Sequence, residues 1–365
     1  MNRKKILIFS LAYEPVVGGA EVAVKEITNH LTDIDFDLIT LRFSEDHKEK
    51  EKIGNCNVYR LNTSKNLFPF KAYLFATKLH KEKSYDATWA VMANWAGFAA
   101  LFFKLSFPNV PYLLNLQEGD SFSYIKSRVW FVYPLFRRIF LRADVIQPLS
   151  NYLADWARSM GYKGRIEIIP NGVDFQRFEN FNQKEFDSNN VVIITTSRLV
   201  EKNAVGDIIE SLKFLPQNVS LKILGTGPLE KSLQLKAKSL QLDKRVEFLN
   251  HIPNEDLPKY LHKADIFVRP SLSEGFGISF IEAMAAGLPV IATPVGGIVD
   301  FLEDEETGLF CKVKNPESIA KAVERLISDK TLRSKIITNA KKMVKERYDW
   351  DLVAKEMKER VFNLF

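Results

Sequence analysis

The sequence predicts an α/β chain of two Rossmann-like domains whose parallel sheets face each other across a crevice. Three observations lead there. At 365 residues the chain is too long for one ordinary core, apolar runs bounded by turn signals alternate with helical periods, and the alternation restarts after a polar patch at 182–190. A normal apolar fraction, 46%, excludes disorder. The only cysteines, Cys56 and Cys311, lie too far apart in sequence to staple a small scaffold, and they point to a reducing compartment. Strict repeats and low-complexity tracts are absent, which excludes a solenoid.

In chain order, the opening KKILIFS reads as a buried strand. Basic residues precede its apolar run as in a signal peptide, but the run 6–13 is short and no A-x-A cleavage site follows. Strands follow in FDLITLR, CNVYRLN, YDATWAVM, PYLLNLQ, ADVIQPLS and RIEIIPNGV, with amphipathic helices such as 20–31 and 70–81 between several of them. The nearly uncharged stretch 87–103 is about long enough to suggest a membrane span. It contains Asn94 and Gly97 and stops at Lys104, so a strand at 87–92 running into an apolar helix at 95–107 explains it. The linker falls at 171–190. Beyond it VVIITTS, SLKILGTG, RVEFLN, DIFVRPS and LPVIAT restart the strand pattern. Alternating elements of this kind form parallel sheets through right-handed crossovers.

Net charge is +6, and the excess lies in the first half: residues 1–174 hold 23 Lys and Arg against 18 Asp and Glu, the remainder 28 against 27. Segment 122–142 (FSYIKSRVWFVYPLFRRIFLR) contains five basic residues, seven aromatics and no acid. Two readings fit it, an interfacial element facing anionic lipid or phosphate and an amphipathic core helix with snorkelling arginines.

Ligands of doubly wound sheets sit at the C-terminal ends of strands, so the residues just after each strand are the informative ones. PVVGGAE, 15–21, places Gly18 and Gly19 after the first strand and before a helix, where amides approach a phosphate or simply make a turn. SRLVEK, 197–202, presents Arg198 and Lys202 where a diphosphate would lie. Two fixed cations there stabilise a departing nucleoside diphosphate; a solvated basic pair is the plain alternative. Gly225-Thr226-Gly227-Pro228 is another glycine turn at a strand end. The strongest pattern is PSLSEGFGISFIEAMAAGLPVIAT, 270–293. Glu274 precedes a helix opened by Gly275-Phe276-Gly277, Glu282 lies two turns along it, and Gly287 and Pro289 close it. A loop carboxylate can bind sugar hydroxyls, the second can take the two hydroxyls of a ribose, and the amides from Gly275 to Ile278 can hold phosphate oxygens.

Taken in order, GGAE, IIPNGVD at 168–174, SRLVEK, GTGP, the E-x7-E block with AAGLPVIAT and a final helix holding Trp350 resemble the retaining, GT-B-fold nucleotide-sugar glycosyltransferases of family 4, also called group 1. The likeness runs over essentially the whole chain. It implies that Gly18 and Gly19 face the donor diphosphate, Arg198 and Lys202 bind its phosphates, Glu274 holds the donor sugar and Glu282 the ribose. Asn171, Gly225 and Gly227 would join that site, and the loop around His251 and Ile252 would hold the base through its backbone. The resemblance also implies an acceptor-binding domain at 1–172, completed by a C-terminal helix at 348–365 (about 350–362 of it packing back), and a donor-binding domain at 173–347. No cofactor is implied beyond the nucleotide diphosphate sugar as co-substrate.

Two departures stand out. Where the family usually has His followed by an acid, PYLLNL is followed by Gln117-Glu118-Gly119-Asp120. Gln117 keeps a hydrogen bond but not the basicity of an imidazole, while Glu118 or Asp120 either orients the acceptor hydroxyl, works as acid or base, or caps a helix. Asn203-Ala204 replaces the common Lys-Gly after Lys202. Asp35-Phe36-Asp37 mimics a metal-binding D-x-D but starts a strand with alternating sides, so no metal is expected. The candidate catalytic set is Arg198, Lys202, Glu274, Gln117 and Glu118. The expected activity moves a hexose with retention from a UDP- or GDP-sugar to a hydroxyl of a lipid-linked or oligosaccharide intermediate in cell-surface polysaccharide or glycolipid assembly. The expected place is the cytoplasm, peripheral on the inner face of the membrane, without a nucleic-acid partner. Two rivals stand beside it: an epimerase or hydrolase on the same scaffold, and a catalytically silent nucleotide-sugar-binding subunit.

Overall fold

The computed structural model describes residues 3–16, 18–179, 185–250 and 252–365, and the chain forms two compact units, Met1–Gly172 with Trp350–Phe365, and Val173–Asp349. The first unit runs β1 (Lys4–Phe9), α1 (Gly19–His30), β2 (Ile34–Leu41), β3 (Lys50–Ile53), β4 (Cys56–Leu61), α2 (Phe68–Lys83), β5 (Ala87–Val91), α3 (Trp95–Ser106), β6 (Tyr112–Leu116), α4 (Phe122–Val129), α5 (Tyr133–Leu141), β7 (Val145–Pro148), α6 (Asn151–Ser159) and β8 (Arg165–Ile166). Its eight strands lie in the order β3-β4-β2-β1-β5-β6-β7-β8, parallel except for β3.

Both faces of this sheet are covered, which is why its central strands are apolar throughout. Ile6 and Ile8 of β1 pack with Ala23, Val24 and Ile27 of α1, while the ring of Phe9 lies 6.1 Å from that of Phe103 on α3. The apolar stretch at 87–103 resolves into β5 and α3, with Asn94 capping the helix through Ala96 N. No helix among the described residues is long and apolar enough to cross a membrane.

The second unit continues with α7 (Phe175–Glu179), β9 (Val191–Thr196), α8 (Val205–Ser211), β10 (Val219–Leu224), α9 (Glu230–Ser239), β11 (Val246–Phe248), α10 (Leu257–Leu261), β12 (Ile266–Arg269), α11 (Ile278–Ala285), β13 (Val290–Ala292), β14 (Leu309–Phe310), α12 (Pro316–Ser328) and α13 (Lys330–Arg347). Its parallel sheet has the order β11-β10-β9-β12-β13-β14. The chain leaves β9 to one side for β10 and β11, then returns to its other side with β12, so the strand order reverses between β9 and β12. Finally α14 (Trp350–Glu356) packs on α1 in the first unit, and Phe362 beyond it sets its ring 6.0 Å from Phe36 and 5.6 Å from Trp89.

Three local readings change. RIEIIPNGV pairs as a strand only through Arg165 and Ile166. The linker read at 171–190 contains α7, and residues 180–184 lie outside the described residues. β3 has no apolar pattern because it is an edge: its KEKI sequence exposes both lysines, the usual protection of an unpaired strand edge.

Candidate active site

In the second unit, the reversal of strand order brings two loops together, the one after β9 with Arg198 and Lys202 and the one after β12 with Glu274. Backbone joins them directly, Leu272 N donating to Lys202 O at 2.6 Å. The last residue of β12, Arg269, joins them through its side chain. Its Nη2 donates to Glu274 Oε2 at 2.6 Å and to Asn203 Oδ1 at 3.0 Å, and its Nη1 donates to Ser279 Oγ on α11 at 2.7 Å. The guanidinium also lies 5.5 Å over the ring of Phe280. Asn203 in turn donates to the carbonyl of Arg198 at 2.6 Å. Arg269 and Glu274 are both buried, so this is a buried ion pair; the Nη donors of the guanidinium also bond the neighbouring elements, while its Nε is buried without a partner.

Arg269 escaped the sequence reading. The signal was an arginine inside the apolar run DIFVRPS, since a charge in a buried strand must have a partner. Gly296 and Gly297 escaped it too. Gly297 N donates to Glu274 O at 3.0 Å, and a Cβ on Gly296, which sits at φ +57°, would fall 1.8 Å from that same oxygen.

The other candidates of this unit divide into side chains that face outward and residues that pack. Arg198 is exposed and Lys202 half-buried. Glu282 is half-buried on α11; burial pushes its carboxyl up to about 7, while the charges of Arg177 and Arg269 draw it down. The ring of Phe276 is buried, 5.4 Å from Phe301 and 5.7 Å from Tyr348, so this residue offers a ligand only its backbone, the part in which it was a candidate. Gly277 forms the N-cap of α11 at φ +93° with no capping side chain, and Gly275 and Ile278 flank it at the helix start. Gly225 and Gly227 have packing reasons of their own. A Cβ on either would fall within 2.4 Å of the carbonyl oxygen of Ser197 or Leu199, so the glycine turn lets the Arg198 loop lie directly on it. Ala204 takes a left-handed φ of 49°, the conformation that glycine would adopt without strain. Ile252 is half-buried beyond β11, and His251 lies outside the described residues. The hydroxyls of Thr195, Ser197, Ser271 and Ser273, at the ends of β9 and β12, are buried without a hydrogen-bond partner.

In the first unit, Gly18 and Gly19 are exposed at the start of α1, where Gly18 is an N-cap with extended backbone. Glu21 turns back toward the amides of Gly18 and its own residue, so a carboxylate of the chain itself stands at that helix start; burial raises it. At the end of β6, Gln117 and Asn171 are hydrogen-bonded to each other at 2.9 Å. Asp120 is half-buried in the same loop. Asp37 of the D-x-D mimic is buried against Lys83, Tyr85 and Asn57.

Glu118 is corrected as an acid or base that touches a ligand. It is 6% exposed, and its Oε1 accepts from the amide of Ala93 at 2.5 Å, so it fixes the backbone that leads into α3. Its burial pushes the carboxyl up to about 7 against the pull of the Ala93, Glu118 and Gln117 amides.

A family model for glycosyl transferases group 1 matches residues 176–343, and one for glycosyltransferase family 4 matches residues 17–177. The capsular polysaccharide biosynthesis glycosyltransferase CapM of Staphylococcus aureus is 30% identical over 70% of this chain and 71% of its own. The chain belongs to this family of glycosyltransferases. An uncharacterised glycosyltransferase of Methanocaldococcus jannaschii is 28% identical over 96% of both chains. The structure of Anabaena HepE in complex with UDP-glucose superposes with a TM-score of 0.82 at 20% identity, covering 98% of this chain and 99% of that one, a likeness of fold. The glycosyltransferase therefore has the GT-B fold.

The Glu118 geometry gives a pH prediction. An unfolded carboxyl ionises near 4.5 and the folded one near 7, so between these values the folded state holds the extra proton and stability falls as pH rises. Glu118→Gln keeps an acceptor for Ala93 and removes that slope, a contribution of at most about 3 kcal/mol. Urea unfolding at pH 5 and pH 8 checks it; equal pH dependence in wild type and variant would contradict it.

Proposed function

We propose that this glycosyltransferase moves a hexose, with retention, from a UDP- or GDP-sugar to a hydroxyl of a lipid-linked or oligosaccharide acceptor in cell-surface polysaccharide or glycolipid assembly. The observation that carries the donor half is the Leu272–Lys202 bond together with Arg269, which hold the cationic loop and the Glu274 loop at one switch point. In this reading Arg198 and Lys202 take the diphosphate, Glu274 Oε1 takes the sugar hydroxyls while Oε2 stays with Arg269, and Glu282 takes the ribose. The uncapped start of α11 at 275–278 adds amides for phosphate oxygens, and the unpartnered hydroxyls of Ser197 and Ser273 add donors of the same kind.

As the glycosidic bond breaks, negative charge grows on the departing diphosphate, and fixed cations stabilise it without reorganisation. The acceptor hydroxyl attacks from the face that the diphosphate leaves, and its proton passes to the departing oxygen. No step is assigned to a metal. The base is held by the backbone near Ile252, and the acceptor docks on the first unit.

Segment 122–142 supports a membrane-side acceptor. Phe136, Ile139 and Phe140 of α5 enter the core, whereas Trp130 is 74% exposed and Phe131 65%, among exposed Lys126, Arg128, Arg138 and Arg142. One side of the segment thus packs into the core while the Trp130–Phe131 turn stays exposed. The exposed aromatics with surrounding cations suit an anionic membrane surface on the cytoplasmic side.

Two experiments test the function. With a panel of UDP-, GDP- and ADP-sugars and a crude lipid extract, release of nucleoside diphosphate is expected from one donor, raised by lipid, and lowered about 100-fold or more by Lys202→Ala. Release that ignores the acceptor would favour a hydrolase, and binding without turnover a silent subunit. In co-sedimentation with vesicles containing anionic lipid, Trp130→Ser/Phe131→Ser is expected to bind about tenfold or more weakly than wild type. Equal binding would remove the membrane role.

A further inference from the structure

The short helix α7 is fastened at two consecutive residues. The carbonyl of Phe178 accepts from His262 Nε2, at the end of α10, at 2.7 Å, and Arg177 Nη2 donates to the carbonyl of Asn254, in the loop between β11 and α10. These partners bracket one stretch, 254–262, directly beyond Ile252. Phe175 and Phe178 are buried, and α7 packs against α11, the helix that carries Glu282. Arg177 itself is half-buried, with its Nε buried and without a hydrogen-bond partner. Burial raises the Glu282 carboxyl, and of the two charges that draw it back Arg177 comes first. The second, Arg269, already has its Nη donors on Glu274, Asn203 and Ser279.

We infer that Arg177 is a positioning residue of the nucleoside site: from α7 it sets a fixed positive charge beside Glu282 and ties the loop after β11 to the same pair of helices. A ribose offers two O–H donors, and an ionised carboxylate accepts both. A protonated one carries an O–H of its own that needs an acceptor. Without Arg177, burial meets less opposition and Glu282 takes up its proton at higher pH. The ribose role of Glu282 rests on the donor reading above, whereas the coupling of Arg177 to Glu282 does not.

The other charged and titratable groups on the elements around Glu282 have their own engagements. Residues 278–285 of α11 hold no second one. At α7, Asp174 accepts from Arg177 N at 3.0 Å and Glu179 is exposed. On α10, burial holds the His262 imidazole below its usual range. Of α13, which packs against α11, Lys345 lies 5.5 Å over the ring of Phe175, Lys341 acts on His262, Arg333 stacks 3.6 Å over Phe186 and Lys335 pairs with Glu306.

The first measurement needs no ligand. By carbon NMR the Glu282 carboxyl, identified by its loss in Glu282→Gln, is expected to titrate about one pH unit higher in Arg177→Met than in wild type, and close to wild type in Arg177→Lys. An unchanged or lower titration in Arg177→Met overturns the inference. Calorimetry with UDP and with GDP supplies the second readout. For a carboxyl titrating at about 7 in wild type and about one unit higher in Arg177→Met, the variant-to-wild-type ratio of Kd falls about sevenfold between pH 6 and pH 8.5. Titration of the nucleotide itself cancels in that ratio, and loss of the Asn254 bond alone would raise it equally at every pH. The fall is expected to vanish in a Glu282→Gln background. A constant ratio, a ratio that rises with pH as for an arginine on the diphosphate, or a fall that survives in Glu282→Gln overturns the inference. If wild type binds neither nucleotide, the donor reading fails while the titration still decides the role of Arg177. If Arg177→Met does not fold, Arg177→Gln removes the same charge and is judged in the same way.

Discussion

The buried ion pair of Arg269 and Glu274 is the constraint from which the geometry of the second unit follows. A carboxylate at 8% exposure is tolerated only with a partner, and its partner is an arginine that also bonds Asn203 and Ser279. Three elements are thereby fixed to one guanidinium. The Asn203 side chain passes the constraint on to Arg198 O, and Leu272 N to Lys202 O, so the cationic loop is placed by the same pair. Glycines then serve the approach: Gly296 brings backbone onto Glu274, and Gly225 and Gly227 bring backbone onto Ser197 and Leu199.

Much of this was legible in the sequence because it depends on local pattern. Apolar runs of four to eight residues gave the central strands, and glycine before an apolar helix gave the start of α11. What sequence did not yield was pairing. Arg269 announces that it needs a partner, but nothing local names Glu274, Asn203 and Ser279 together. The glycines around Phe276 mark a loop whose amides are candidates for a ligand, but nothing local says that its ring fills the core beside Phe301 and Tyr348. β3 was missed because an edge strand is selected for charge rather than for alternation.

The loop after β6 shows the same limit on the side of chemistry. Gln117 and Glu118 are adjacent, and either was a candidate to replace an imidazole. Pleat and burial separate them. Gln117 lies in a line of amides with Asn115, Gln147 and Asn171, while Glu118 points into the unit and holds Ala93. A carboxyl sealed in this way serves the fold, and the amide that remains half-exposed is the one available to a ligand.

The central claim, that Arg269 and Glu274 act as one buried unit, is tested most directly by a double-mutant cycle read by urea unfolding. Arg269→Met leaves a buried carboxylate unpaired and is expected to cost about 3 kcal/mol or more. Arg269→Met/Glu274→Leu removes both charges and should cost clearly less than the two single changes combined, with a coupling of about 2 kcal/mol. Additive costs within about 0.5 kcal/mol would contradict the account, because the two side chains would then be stabilised independently of each other.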